Sequence, residues 1–172
     1  QKIKKAQDVL VNGSTEDIRS AYDEIDAAIT AGNEDPETAL LAADLAFGAS
    51  GVTEVFTGIL ANTDAISEGS TEELNAILDD LSADDLTLIS EGATHVQNAV
   101  SAIESGDSTV EVTDTQYIIA GASLVASAAE KAGGFDQLES LSSGDAGYDE
   151  YQDAQDFLSS GGIDDLLSQF GL

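Results

Sequence analysis

The sequence predicts an all-α protein, folded as stacked antiparallel helical hairpins or as an irregular helical bundle, with no significant sheet. The chain of 172 residues has one proline, Pro36, and apolar residues recur at helical spacing in most windows. Clusters of Gly and Ser separate those windows and mark turns. A chain of this length buries about 70% of its unfolded surface as one domain. We therefore predict a basic lead-in over residues 1–13 and a single helical domain over 14–172, in which 135–172 forms shorter helices.

The first half of the chain contains clear helix boundaries. Residues 2–11 are either a helix or a tail, and Ser14 then opens a helix that stops at Gly32. Pro36 opens the next helix, because proline is tolerated in a first turn, where its missing N–H would have no partner. That helix runs to the break at residues 48–51, and 52–60 predicts another. The apolar face of the Ser14 helix consists of Ile18, Tyr22, Ile25 and Ile29, at i, i+4, i+7 and i+11.

Two serines mark the helix starts in the middle of the chain. Ser70 and Ser82 are each followed three residues later by an acidic residue, which is the capping-box pattern. The second of these helices is long and ends at the turn of Gly106 and Asp107. Val110 and Val112 are the one hint of a strand, and a lone strand has no sheet to join.

Four helical segments are predicted after that turn. Asp114 is predicted to cap a helix from Thr115 to Ala132, which Gly133 and Gly134 close. Two short helices follow at 135–141 and 148–158, and then a compact amphipathic segment at 163–170. Small residues in two of the helices let backbones approach closely; they are Ala39, Ala42, Ala43, Ala46 and Gly48 in one, and Gly121, Ala122, Ala126 and Ala129 in the other.

Internal similarity links parts of the chain. Ile-Ser-Glu-Gly occurs at 66–69 and again at 89–92, and Gly-Ala-Ser occurs at 48–50 and at 121–123. Stacked helical hairpins produce repeated motifs of this kind. Chance likeness among helices rich in Ala, Ser and Gly is the alternative.

Two stretches resemble tetratricopeptide repeats. Residues 22–41 contain Asn33-Glu-Asp-Pro36 and are similar to the passage where one repeat's second helix meets the Asp-Pro that opens the next repeat. Residues 117–136 are similar to the body of one repeat ending in its inter-helix turn, and the two stretches cover at most about a third of the chain. The resemblance implies a scaffold of helical hairpins that binds other proteins. It carries over no catalytic residue.

Charge and composition exclude several classes of function. The chain has 34 acidic and 5 basic residues, a formal charge of -29 and no cysteine. Such a charge repels phosphate backbones and anionic lipid, so we expect no nucleic-acid partner. No run of about 18 apolar residues is present, so we expect no membrane span. Without cysteine there is no disulfide and no thiolate chemistry.

Acidic residues supply the candidate metal site. Asp145, Asp149 and Asp153 recur at i, i+4 and i+8, with Asp156 nearby, and this stripe could gather Ca²⁺ or another divalent cation weakly. The competing interpretation is a solvated helix face. The one histidine, His95, lacks a recognisable partner motif, so we read it as a surface or satisfied core residue and predict no enzyme and no catalytic or cofactor-binding residue.

We therefore expect a non-enzymatic helical-repeat module for protein binding or assembly. The alternatives are a self-assembling surface protein adapted to high salt and, more weakly, a divalent-cation-binding acidic protein. Because the chain begins at Gln1 and has no Met, either signal-peptide removal or excision from something longer is expected. The expected location is the periplasm, the cell surface or the medium, with a possible lipid anchor before residue 1; the alternative is the cytoplasm of a salt-accumulating organism.

Overall fold

The computed structural model describes residues 1–32, 35–52, 76, 79–106 and 109–160. This part of the chain contains helices, turns and irregular segments but no strand, which confirms the all-α prediction. The elements are α1 Lys2–Asn12, α2 Thr15–Thr30, α3 Pro36–Ser50, α4 Ala83–Ser105, α5 Asp114–Ala132, a 3₁₀-helix Phe135–Ser140 and α6 Tyr148–Ser160. Over the same ranges, no helix combines the length and the hydropathy that crossing a membrane requires.

Capping boxes start α2 and α4 where the sequence predicts helix starts. At α4, the Asp85 N–H donates to Ser82 Oγ at 3.1 Å, and the Ser82 N–H donates to Asp85 Oδ2 at 3.2 Å. Ser14 and Asp17 make the same reciprocal bonds at α2. These bonds satisfy backbone donors that have no partner inside the helix.

The start of α5 lies one residue earlier than predicted. Thr113 is the cap, and Asp114 is the first helical residue. The Gln116 N–H donates to Thr113 Oγ1 at 3.2 Å, and Gln116 Oε1 accepts from the Thr113 N–H at 3.0 Å. The prediction of Asp114 as the cap was wrong because Gln116 stands three residues after Thr113 and completes a capping box there.

Two apolar clusters share α3. One joins α3 to α4, α5 and α6, and the other joins α3 to α1 and α2. Ala42, Ala43 and Ala46 are completely buried, so the small residues of α3 let its neighbours approach from several sides. The first cluster includes Phe47, Ile89, Val96, Leu124 and Leu158, and the second includes Ala6, Tyr22, Ile25, Leu41 and Leu45.

The structure also shows the conformation of residues 2–12 and of the stretch that contains Val110 and Val112. Residues 2–12 form a helix, α1, whose Ala6 is 4% exposed against the second cluster. The stretch 109–113 is neither helix nor strand, and Val110 and Val112 pack against the first cluster. The predictions for 53–60, for the start at Ser70 and most of the helix after it, for the repeated motif at 66–69 and for the segment 163–170 lie outside the described residues.

Candidate functional site

A groove of about 500 Å³ opens between the C-terminal half of α4, the start of α5 and the end of α6. Its described floor is apolar. Phe157 is 8% exposed there, and the Tyr117 ring lies with its centroid 5.9 Å from that of Phe157, at an interplanar angle of 41°. Val100 of α4 completes this floor.

Carboxylates stand along the rim of the groove. Glu104, Asp153 and Asp156 are exposed and line it, and no Lys or Arg is among its described lining residues. Asp153 Oδ2 accepts a hydrogen bond from Gln97 Nε2 at 2.9 Å, which ties α6 to α4 across the groove. No ion pair of the described residues involves Glu104 or Asp156. The groove therefore combines an apolar floor that contains two aromatic rings with a rim whose negative charge no described Lys or Arg neutralises.

The structure separates Asp145 from the other three predicted cation ligands, Asp149, Asp153 and Asp156, which belong to α6. Asp145 lies before α6, which begins at Tyr148, so helical spacing does not align it with Asp149 and Asp153. Its carboxylate accepts from the Ser142 N–H at 2.8 Å and shapes a turn. Asp153 and Asp156 line the groove. Within the described ranges, no three His, Asp or Glu side chains come together as a set of metal ligands.

A polar seam joins α2 to α4, and the sequence reasoning missed it. Tyr22 Oη donates to Glu91 Oε2 at 2.7 Å, and His95 Nε2 lies 3.2 Å from Asp26 Oδ1. Arg19 pairs with Asp85 at 3.5 Å at the other end. The signal that could have found the seam is the spacing of 19, 22 and 26, which places three polar groups on one face of α2.

Burial controls the protonation of His95. The residue is 7% exposed, its Nδ1 has no hydrogen-bond partner among the described residues, and burial holds its pKa below the ordinary value. Asp26 and Glu91 act in the opposite direction but do not offset the burial. Burial and the bond to Glu91 also raise the pKa of the Tyr22 hydroxyl. His95 is a packed residue of the seam and does not line the groove, so we assign it a structural role.

The single histidine makes a specific pH dependence testable. Since the folded-state pKa of His95 lies below the unfolded value of 6.5, the unfolded chain binds the proton more readily. The contribution of neutral His95 to the free energy of unfolding is complete above pH 6.5. It is lost as the pH falls from 6.5 towards the folded-state pKa of His95. We expect the free energy of unfolding to fall by up to about 1.4 kcal/mol per pH unit in this window, relative to His95→Gln.

The measurement is urea unfolding of both proteins at a series of pH values. Only the difference between the two curves is interpreted, because the carboxylates titrate in both. Parallel curves, or a wild type that gains stability relative to His95→Gln as the pH falls, would contradict the prediction.

No protein-family model, curated protein or solved structure matches the chain. The resemblance to tetratricopeptide repeats therefore stays a prediction from the residues alone.

Proposed function

We propose that this chain is a non-catalytic helical module that binds a protein partner through the groove between α4, α5 and α6. The observation that carries the proposal is the groove itself, which is open, about 500 Å³ in size and supported on three helices. Its apolar floor of Val100, Tyr117 and Phe157 and its polar rim match the usual anatomy of a protein interface, where apolar contacts lie at the centre and polar groups surround them. An extended or helical segment binds in a groove of this kind by placing its side chains against the floor.

Rigid support favours binding by docking. Phe157 and Leu158 belong to the buried part of α6, and Gly121 of α5 lets α6 pack closely because a Cβ there would lie 2.7 Å from Leu158 Cγ. The Gln97–Asp153 bond fixes α6 to α4 as well. A groove held in this way loses little conformational freedom when a partner binds.

Self-assembly is the second candidate, and one observation favours it. Among the described residues, Lys2 and Lys4 make no ion pair, and both are exposed near the start of α1. A second copy would offer these cations to the groove. We do not propose the weaker cation-binding alternative, because the described carboxylates do not assemble a set of ligands. We also propose an extracytoplasmic setting for this module.

The test of the binding function is selection of peptides from a random display library, followed by a groove-blocking variant. Ser101→Trp places a large side chain in the groove from the exposed face of α4. Ser20→Trp makes the same change on the exposed face of α2 and is the control. We expect the selected peptides to bind Ser101→Trp about tenfold more weakly and Ser20→Trp unchanged.

Thermal unfolding of both variants verifies that each is folded before binding is compared. A library that yields no binding peptide would contradict the proposal. Peptides that bind Ser101→Trp as well as the wild type would contradict the assignment of the groove.

A further inference from the structure

We infer that the occupant of the groove is a basic protein segment, which lays an arginine or lysine side chain against Tyr117 and directs its charge towards Glu104 and Asp156. This inference rests on the proposed binding function and specifies the chemistry of the partner.

The first support is that no described Lys or Arg lines the groove beside its carboxylates. Arg19 pairs with Asp85, Lys131 with Glu150 and Lys5 with Glu24, so three of the chain's five basic residues have carboxylate partners elsewhere. None of them is a described lining residue of the groove. Carboxylates that line one groove repel each other, and a cationic side chain bound in the groove relieves that repulsion.

The second support is the Tyr117 ring in the floor of the groove. Tyr117 is only partly buried, and its ring contributes to the groove beside that of Phe157. The negative face of an aromatic ring attracts a guanidinium or an ammonium group, and the attraction strengthens where water is excluded. The alkyl part of Arg or Lys also suits the apolar floor at Val100 and Phe157. Carboxylates alone would suit any cation, whereas a ring next to them favours an organic one.

Competing ligands fit the groove less well. A bare metal ion needs converging ligands, and no three suitable side chains converge among the described residues. An anionic ligand would be repelled by the three carboxylates, and no Lys or Arg is among the described lining residues to offset that repulsion. A groove of about 500 Å³ accommodates more than one side chain, which favours a segment over a small free cation.

The net charge favours a separate basic protein over a second copy. A charge of -29 draws a basic partner towards the molecule and speeds its association, whereas it opposes the approach of another copy with the same charge. The field of the whole molecule attracts the partner, and the groove supplies the position where its side chain binds.

The experiment uses the full chain and three short synthetic peptides. They share one Ala/Ser/Gly background and carry two arginines, two citrullines or two glutamates. Citrulline keeps the shape of arginine and removes its charge. Binding is followed by NMR of isotope-labelled protein, which reports the affected residues. We expect the arginine peptide to shift the amides of the groove helices and the citrulline peptide to bind about tenfold more weakly.

Two variants separate the groove from the overall field. Glu104→Gln/Asp156→Asn removes two charges inside the groove, and Asp23→Asn/Glu130→Gln removes two exposed charges outside it. We expect the first pair to weaken the arginine peptide about tenfold and the second pair by much less. Tyr117→Leu keeps the net charge and is expected to weaken binding about fivefold, because it removes the cation–π contact.

Each other outcome overturns the inference in a distinguishable way. If the citrulline peptide shifts the groove amides equally well, the binding function stands and the charge requirement fails. If the arginine peptide shifts amides over the whole surface, the field alone is responsible. If free arginine or spermine binds as tightly as the peptide, the ligand is a small cation. If raising the protein concentration alone shifts the amides of Lys2, Lys4 and the groove together, the occupant is a second copy.

Discussion

Truncating Phe47 to alanine is expected to lower the free energy of unfolding by about 3–5 kcal/mol, among the largest effects for a single side chain here. Phe47 is 2% exposed and lies in the apolar cluster that joins α3 to α4, α5 and α6. The substitution removes the apolar area of the ring and leaves a cavity that close-packed neighbours fill only in part. Urea unfolding measures the change directly.

Phe47 packs directly on the backbone of α4 at Gly92. A Cβ on Gly92 would lie 2.6 Å from Phe47 Cε1 and 2.9 Å from Cδ1, which is closer than real Cβ contacts allow. Gly92→Ala is therefore expected to destabilise by about 1–3 kcal/mol through overpacking, even though alanine favours the helix by about 1 kcal/mol.

Gly48→Ala is the matched control, since it makes the same change in α3. Its nearest contact would be the end of the Leu10 side chain at 3.3 Å, which can move. We expect Gly48→Ala to be neutral or slightly stabilising, because the gain in helix propensity is not offset by a rigid clash.

A double-mutant cycle tests the pairing. In a Phe47→Leu background the smaller side chain leaves room for a methyl group at Gly92, so the cost of Gly92→Ala should fall by more than about 0.5 kcal/mol. The Leu variant also keeps the test informative if Phe47→Ala does not fold. Additive effects in the cycle, or a stabilising Gly92→Ala, would show that the two residues do not contact as described.

Local signals explain which parts of the fold could be predicted. The starts at Ser82 and Pro36 depend on residues within one helical turn, so the sequence contains all the needed information. The apolar face of α2 was predictable for the same reason, and Tyr22 and Ile25 are buried as its spacing indicates. The error at Asp114 was also local, since two adjacent residues both suit a cap and Gln116 selects Thr113.

Features that depend on the arrangement of helices were not predictable. His95 contacts Asp26 through the packing of α4 near α2, and no spacing within either helix specifies that pair. In the sequence, Gly92 is only a glycine within a helical pattern. The structure shows why a side chain does not fit there, because Phe47 of α3 packs against the α4 backbone at this position. The groove arises in the same way, since Tyr117 and Asp153 line it together with Glu104 only after α5 packs on α4 and α6 packs on α5. Asp153 and Asp156 were singled out as cation ligands, and their position in the groove supplies a different interpretation.

The second large effect concerns salt. We expect screening in about 1 M NaCl to add about 2.5 kcal/mol to the free energy of unfolding relative to dilute buffer. Because 1 kcal/mol shifts the melting temperature of a protein this size by about 2–4 °C, the melting temperature should rise by about 5–10 °C. A net charge of -29 repels itself more in the compact fold than in the unfolded chain. Since the described ion pairs use only three of the five basic residues, they relieve little of that repulsion.

Screening and water-structure effects of salt can be separated by their concentration dependence. The screening length falls from about 30 Å at 0.01 M to about 3 Å at 1 M, so most of the gain should appear at the low end of that range. Sucrose is excluded from the protein surface and stabilises the fold without screening charges. The melting temperature should therefore rise steadily with sucrose concentration. The experiment compares scans in NaCl with scans in sucrose.

A charge variant supplies the decisive comparison. Asp23→Asn/Glu130→Gln/Glu139→Gln removes three exposed carboxylates and takes the net charge from -29 to -26. In dilute buffer this variant should melt above the wild type, because each removed charge repels the rest, and the difference should shrink as screening increases. A melting temperature that does not change with NaCl, or a difference that persists undiminished at about 1 M, would mean that self-repulsion does not limit the stability of this fold.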